Sequence, residues 1–161
     1  AGDADKLAIA AAHGADHLID YRTEALRERV RAICAADGGG GVDVVYDPVG
    51  GAVFDQSLRC MNWSGRMVVI GFASGTVPQV PANILLVKNL AVLGLYWGSY
   101  RRHRPDLVAA SFAELFAWHA EGRLKPHVSH RLDLAEAVAA LDLLKTRRST
   151  GKVVLTMAEP R

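Results

Sequence analysis

No G-x-G-x-x-G turn occurs in these 161 residues, although 15 of them are glycine. A complete dinucleotide site opens with that turn, which sets a pyrophosphate on a helix N-terminus, so at most the far side of such a site is present. Cysteine is scarce too: Cys34 and Cys60 are the two present, far apart and outside any C-x-x-C or zinc-ligand spacing, which excludes a disulfide framework and a metal knuckle. A reducing cytoplasm is the expected home. Neither a signal peptide nor an apolar run of about 18 residues appears, and membrane association is not expected. Net charge is only +2, and the short basic clusters Arg101-Arg102-His103-Arg104 and Lys145-Thr146-Arg147-Arg148 read as solvated helix ends or loops, not as a nucleic-acid surface. H-E-x-x-H is missing, and Ser74 is fourth in its glycine-bounded pentapeptide where a nucleophile elbow needs it third. Nor do Asp16, Asp20, Asp43 and Asp47, at strand boundaries, form a facing acid and base pair. His127 and His130 lie in an extended segment after Pro126, where a surface or packing role is expected.

What is present is an alternation of strands and helices in a chain long enough for one sizeable core. Ala1 to Lys6 reads as the end of a strand entering a helix. Strong helix formers run from Ala4 to His13, and Gly14 stands at the C-terminal cap. His17 to Asp20 reads as a short strand, and Thr23 caps a second helix carrying Leu26, Val30, Ile33 and Cys34 at helical spacing. Val42 to Tyr46 and Met67 to Phe72 are apolar runs expected of parallel strands covered on both faces, joined by a helix from Ala52 to Met61 into a crossover unit. Leu90 to Tyr96 is a further strand. Pro105 starts a long helix with Val108, Phe112, Leu115, Phe116 and His119 on one stripe. Asp133 and Glu136 form a capping box before a helix turning Leu134, Val138, Leu141 and Leu144 inward, and Lys152 to Thr156 is the last strand. The fold class is therefore α/β: an incomplete doubly wound parallel sheet with flanking helices, lacking the first strands and the glycine loop.

In open α/β sheets ligands bind beyond the carboxyl ends of the strands. That rule selects the loops Asp47-Pro48-Val49-Gly50-Gly51 and Gly71-Phe72-Ala73-Ser74-Gly75. Each alone reads equally as an ordinary turn; two at consecutive strand ends make a cleft. Lys6, in the opening turns of the first helix, and Tyr21, after the next strand, can both border an adenosine pocket, although spacing alone favours a solvated lysine and a half-buried tyrosine.

The stretches ADKLAIAAAHGADHLIDYR (4–22), GVDVVYDPVGG (41–51), GRMVVIGFASG (65–75), KNLAVLGLYWGSY (88–100), GRLKPHVS (122–129) and STGKVVLT (149–156) resemble, in order and separation, the C-terminal portion of the zeta-crystallin-like quinone oxidoreductases, a zinc-independent branch of the medium-chain dehydrogenases and reductases. The resemblance implies a two-domain parent that transfers hydride from NADPH to a quinone or enone. Residues 1–125 would be the later part of its NAD(P)-binding domain, and 126–161 would return toward a catalytic domain not in this sequence. A first residue other than Met fits such a piece. By position Lys6 would bind the 2′-phosphate, Tyr21 would line the adenosine pocket, and Asp47, Val49 and Gly50 would pass near the ribose. Phe72, Ala73 and Ser74 would border the nicotinamide. Ala1 stands where NAD-preferring relatives carry an acid, which favours NADPH; Asp3 departs from the family, since a carboxylate opposes a 2′-phosphate, and keeps NADH open. The resemblance assigns no catalytic residue and no metal ligand to this chain, which is expected to be inactive alone. In the sheet order 3-2-1-4-5-6, His17 to Asp20 would be strand three and Val42 to Tyr46 strand four, with a gap between them. Leu90 to Tyr96 would be an edge that pairs with a second copy in a homodimer. Two alternatives stand beside this reading: part of a zinc-dependent alcohol dehydrogenase, and a non-catalytic nucleotide-binding or interaction module.

Overall fold

A computed structural model describes residues 1–157. The chain forms two compact units, Ala1–His103 and Arg104–Arg161.

In the first unit, helix α1 (Ala4–Ala12) begins where the Asp3 carboxylate accepts from the Lys6 amide, and ends at His13 with Gly14 at φ +91°. That is a side-chain N-cap followed by a left-handed stop. Helix α2 (Leu26–Ala36) is capped at Ala25 without a side-chain hydrogen bond. Thr23, expected as the cap, lies instead in a turn whose amides at 23 and 24 donate to Asp20 O. The segment from His17 to Asp20 is not a strand. Its pairing is confined to one residue: the Ala1 ammonium donates to Ile19 O at 2.9 Å, and Tyr21 N–H donates to Ala1 O at 3.2 Å. This is the slanted pattern of parallel pairing with only a single residue of partner, too little to hold a ladder.

Strands β1 (Val42–Asp47), β2 (Met61–Val69) and β3 (Ala91–Gly94) form a parallel sheet in that order. Helix α3 (Gly51–Cys60) joins β1 to β2, and helix α4 (Ala82–Lys88) lies between β2 and β3. The order matches the 4-5-6 half of a doubly wound sheet. β2 starts earlier than its apolar run suggests, with a register shift between Val42, opposite Met61, and Val44, opposite Arg66. Ser64 has φ 65° inside that irregularity, so the early part of β2 is bulged. The strand expected over Leu90 to Tyr96 is shorter, because Trp97–His103 winds into helix α5.

The core is Phe54 and Leu58 of α3 with Met61, Met67 and Leu90, and Phe54 and Met67 are 0% exposed. Complete burial of each such side chain stabilises by about 1.5–3 kcal/mol.

The second unit holds helix α6 (Pro105–Ala120), strand β4 (Val128–Asp133), a 3₁₀ turn (Leu134–Glu136), helix α7 (Ala137–Lys145) and strand β5 (Lys152–Thr156), with β4 and β5 parallel. The capping box is present: Asp133 accepts from the Ala135 amide, and Glu136 accepts from the Asp133 amide. The expected inward faces are not buried. Phe112, Leu115 and Phe116 on α6 are exposed, as are Leu134, Val138, Leu141 and Leu144. The buried position of α7 is Ala140. α7 therefore seats its small residue on the two-stranded ladder, and the larger apolar side chains find no cover within this unit. Leu141 and Leu144 instead border an apolar hollow of about 180 Å³ with Val153 and Leu155.

Candidate functional site

The two loops selected by the strand-end rule are joined. β1 and β2 continue their pairing beyond the sheet, with Ile70 N–H donating to Asp47 O at 3.0 Å, Ala73 N–H to Pro48 O at 3.0 Å and Ser74 N–H to Val49 O at 2.9 Å. Asp47 is 2% exposed, and its carboxylate accepts from Val49 N–H at 2.8 Å and Gly50 N–H at 3.1 Å. A buried carboxylate needs such partners; here they fix the first loop over its own strand end. Gly50 has φ +71° and ψ −163°, a conformation essentially confined to glycine. A Cβ there would lie 2.8 Å from Thr76 O and 3.1 Å from the Phe72 ring. Gly51 packs as closely on the second loop, where a Cβ would be 3.0 Å from Ser74 Oγ. The Ser74 hydroxyl accepts from Thr76 N–H at 3.2 Å and so closes the second loop on itself.

Asp47, Val49, Gly50, Phe72, Ala73 and Ser74 are thus brought together. Beside them, at the carboxyl ends of β2 and β3, opens a cleft of about 630 Å³ lined by Val69, Ile70, Gly71, Phe72, Gly94, Leu95, Tyr96, Ser99 and Tyr100. Phe72 and Tyr96 are 44% and 77% exposed, so aromatic rings stand open at the strand ends. Such a cleft suits a flat, largely apolar group. Tyr96, Ser99 and Tyr100 were not singled out from the sequence; the strand-end rule, applied to β3 as it was to β1 and β2, points to them.

Tyr21 and Arg22 meet over Gly2, whereas Lys6 pairs with Asp3. A Cβ on the buried Gly2 would lie 2.8 Å from Tyr21 Oη and 2.9 Å from Arg22 Nε, so both side chains lie over that glycine. Lys6 Nζ stands 3.4 Å from Asp3 Oδ2. The Lys6 amide hydrogen bond, then the Lys6 ammonium and the field of Arg22, hold the Asp3 carboxyl below its usual range, against the opposing effect of desolvation. Arg22 is a second cation at this position that the sequence reading passed over, although it closes the quoted stretch 4–22.

Metal chemistry finds no donors: among the described residues no group of three or more His, Cys, Asp or Glu side chains could hold a metal ion. The described residues do not fit a zinc centre. Among them, no helix is long and apolar enough to cross a membrane.

A family model described as zinc-binding dehydrogenase matches residues 13–155. Quinone oxidoreductase-like protein 2 homolog of Nematostella vectensis is 41% identical over 152 residues, covering 94% of this chain and 41% of that protein. Quinone oxidoreductase-like protein 2 of Bos taurus is 40% identical, covering 98% of this chain and 44% of that protein. Among solved structures, Escherichia coli quinone oxidoreductase complexed with NADPH superposes with a TM-score of 0.81 at 37% identity, over 96% of this chain and 47% of that one. An NAD-dependent alcohol dehydrogenase does so with a TM-score of 0.78 at 33% identity, over 98% and 43%. The chain spans less than half the length of these relatives.

Proposed function

On the premise that this chain belongs to the zinc-binding dehydrogenase family, we propose that it is the cofactor-domain portion of a quinone oxidoreductase that takes its hydride from NADPH and gives it to a quinone or enone. The observation that carries this reading is the pair of hydrogen-bonded loops at the ends of β1 and β2, beside an aromatic cleft at the ends of β2 and β3. Asp47 holds the Val49 and Gly50 amides in place, which keeps the first loop stiff where a ribose would pass. Phe72, Tyr96 and Tyr100 supply aromatic walls of an open cleft against which the nicotinamide and the acceptor would lie. Lys6, paired with Asp3, and Arg22, beside Tyr21 over Gly2, would supply positive charge for a 2′-phosphate, and Asp3, already bound to the Lys6 amide and ammonium, is partly neutralised there. The bound nicotinamide would supply the hydride, so these residues position it. The protein containing this chain in full length, assayed with NADPH and a benzoquinone, should consume both. NADP-dependent alcohol oxidation that disappears on metal removal would overturn the assignment in favour of a zinc alcohol dehydrogenase. Residues 1–125 would be the later part of the cofactor domain and 126–161 the return toward the catalytic one. The chain by itself, with no glycine turn for the pyrophosphate, should bind NADPH weakly and turn nothing over.

The same reading includes a homodimer through β3. Leu95 N–H donates to Val69 O, so by strand alternation the Val92 and Gly94 amides face the open edge of the sheet. An open edge invites pairing, and a two-fold dimer closes it. Val92→Pro removes an edge donor and should shift the protein to monomer in sedimentation; an unchanged dimer would exclude this edge.

A further inference from the structure

A third concave site lies toward the amino ends of the strands, beside Arg59 just before β2 and Lys88 just before β3. It is a pocket of about 230 Å³ lined by Arg27, Arg31, Arg59, Lys88, Ile84 and Val87. We propose that this pocket binds a compact phosphate-class anion, held by the three guanidinium groups and the lysine, with Ile84 and Val87 as its apolar wall.

Three helices contribute: Arg27 and Arg31 from α2, Arg59 from α3 and Lys88 from α4. Arg27 and Arg31 are four residues apart and therefore share one face of α2. Lys88 is fixed, its ammonium donating to Met61 O at 2.6 Å. Burial pushes the Cys60 thiol up, against the fields of Arg31, Arg27 and Lys88, which converge on it. No acidic side chain lines the pocket, and none of the four cations forms an ion pair among the described residues. Glu28, whose field also reaches Cys60, is outside the lining.

Helix stability does not account for this arrangement. Arg59 and Lys88 stand in last turns, where the helix dipole favours a cation, but Arg27 is in the first turn of α2, where it opposes the dipole. Arg27 Nε is moreover buried without a hydrogen-bond partner. A charged donor shielded from water and unpaired is costly. Converging cations beside an unfilled guanidinium donor are a receptor for an anion with several acceptor oxygens, and Arg forks match phosphate.

The test is titration of the chain with inorganic pyrophosphate, followed by amide NMR and calorimetry at fixed ionic strength. Saturable binding at one site is expected, with shifts centred on Arg27, Arg31, Arg59 and Lys88. Arg31→Gln and Arg59→Gln replace exposed side chains, so folding should survive, and each should weaken binding about tenfold. Lys6→Gln, at the proposed cofactor position, should leave it unchanged, which separates this site from the cofactor reading. A response that never saturates, that chloride reproduces at equal ionic strength, that survives both arginine substitutions, or that vanishes with Lys6→Gln would overturn the proposal.

Discussion

Replacing Gly50 with alanine tests whether the two strand-end loops act as one body. The residue sits at φ +71° and ψ −163°, where a side chain costs about 1–3 kcal/mol in backbone strain. The added Cβ would also lie 2.8 Å from Thr76 O, a backbone atom that yields only if the second loop moves. Moving it stretches the hydrogen bonds from Ser74 N–H to Val49 O and from Ala73 N–H to Pro48 O, each worth about 0.5–1.5 kcal/mol net. Gly50→Ala should therefore destabilise the sheet of the first unit by about 3 kcal/mol. Gly75→Ala is the control. Its φ is +83° and nothing lies within 4 Å of the Cβ, so it carries backbone strain alone, about 1 kcal/mol. Urea unfolding read through the amide signals of β1 and β2 gives both values in one experiment. If Gly50→Ala costs no more than Gly75→Ala, the loops are not mechanically joined, and the cleft beside them is not held in shape by Asp47.

Asp133→Ala removes the half of the capping box that its carboxylate makes with the Ala135 amide, leaving the residue-133 amide to Glu136, and should cost about 1 kcal/mol, visible as a lower urea midpoint of β4 and α7 amides; no shift would mean that the Glu136 half and the β4–β5 ladder hold that turn. Asp3 has a lowered carboxyl pKa, so its cap on α1 is complete above the ordinary value of 3.8 and is lost as pH falls through the lower folded value. The Lys6 amide resonance should titrate below 3.8, and a midpoint at or above that value contradicts the cap. Cys60 is 2% exposed with its thiol pushed up by burial, so iodoacetamide at about pH 8 should label Cys34 first, and peptide masses showing Cys60 modified in the folded protein would refute its packing.

Much of the fold was legible because its signals are local. Helix α1 follows from a run of helix formers and Gly14; the capping box from Asp133 and Glu136; α6 from Pro105. The ordered stretches resembled quinone oxidoreductases, and relatives at 40% and 41% identity bear that out. Misreadings arise where structure depends on a partner. His17 to Asp20 has strand-like composition, but a strand exists only as half of a ladder, and Ala1 alone is opposite it. Thr23 has the chemistry of a cap, yet the Asp20 carbonyl and carboxylate draw the 22–24 backbone into a turn first. In the candidate site, the glycines and Asp47 were found by strand-end position. The hydrogen bonds that tie Pro48 and Val49 to Ala73 and Ser74 were not, because no local pattern encodes which loops lie side by side.

Apolar periodicity reports that a face is suited to burial, and it does not say what buries it. Val44 and Tyr46 alternate with Val45 along β1, and the run reads as a strand covered on both faces. Val45 packs on the core of Phe54 and Leu58, whereas Val44 and Tyr46 are 51% and 67% exposed. On α7 the same disparity appears: Val138, Leu141 and Leu144 form an apolar stripe by spacing, yet Ala140 is the residue that is buried. Exposed apolar faces of this kind are uncommon on soluble monomers unless something docks there. Three of the matched relatives are each more than twice as long as the part this chain covers, so in them further chain is available to occupy such faces. The pattern on β1 and α7 is therefore one suited to a larger body than the described residues make, which is why the helices and strands came out of the sequence more faithfully than their burial did.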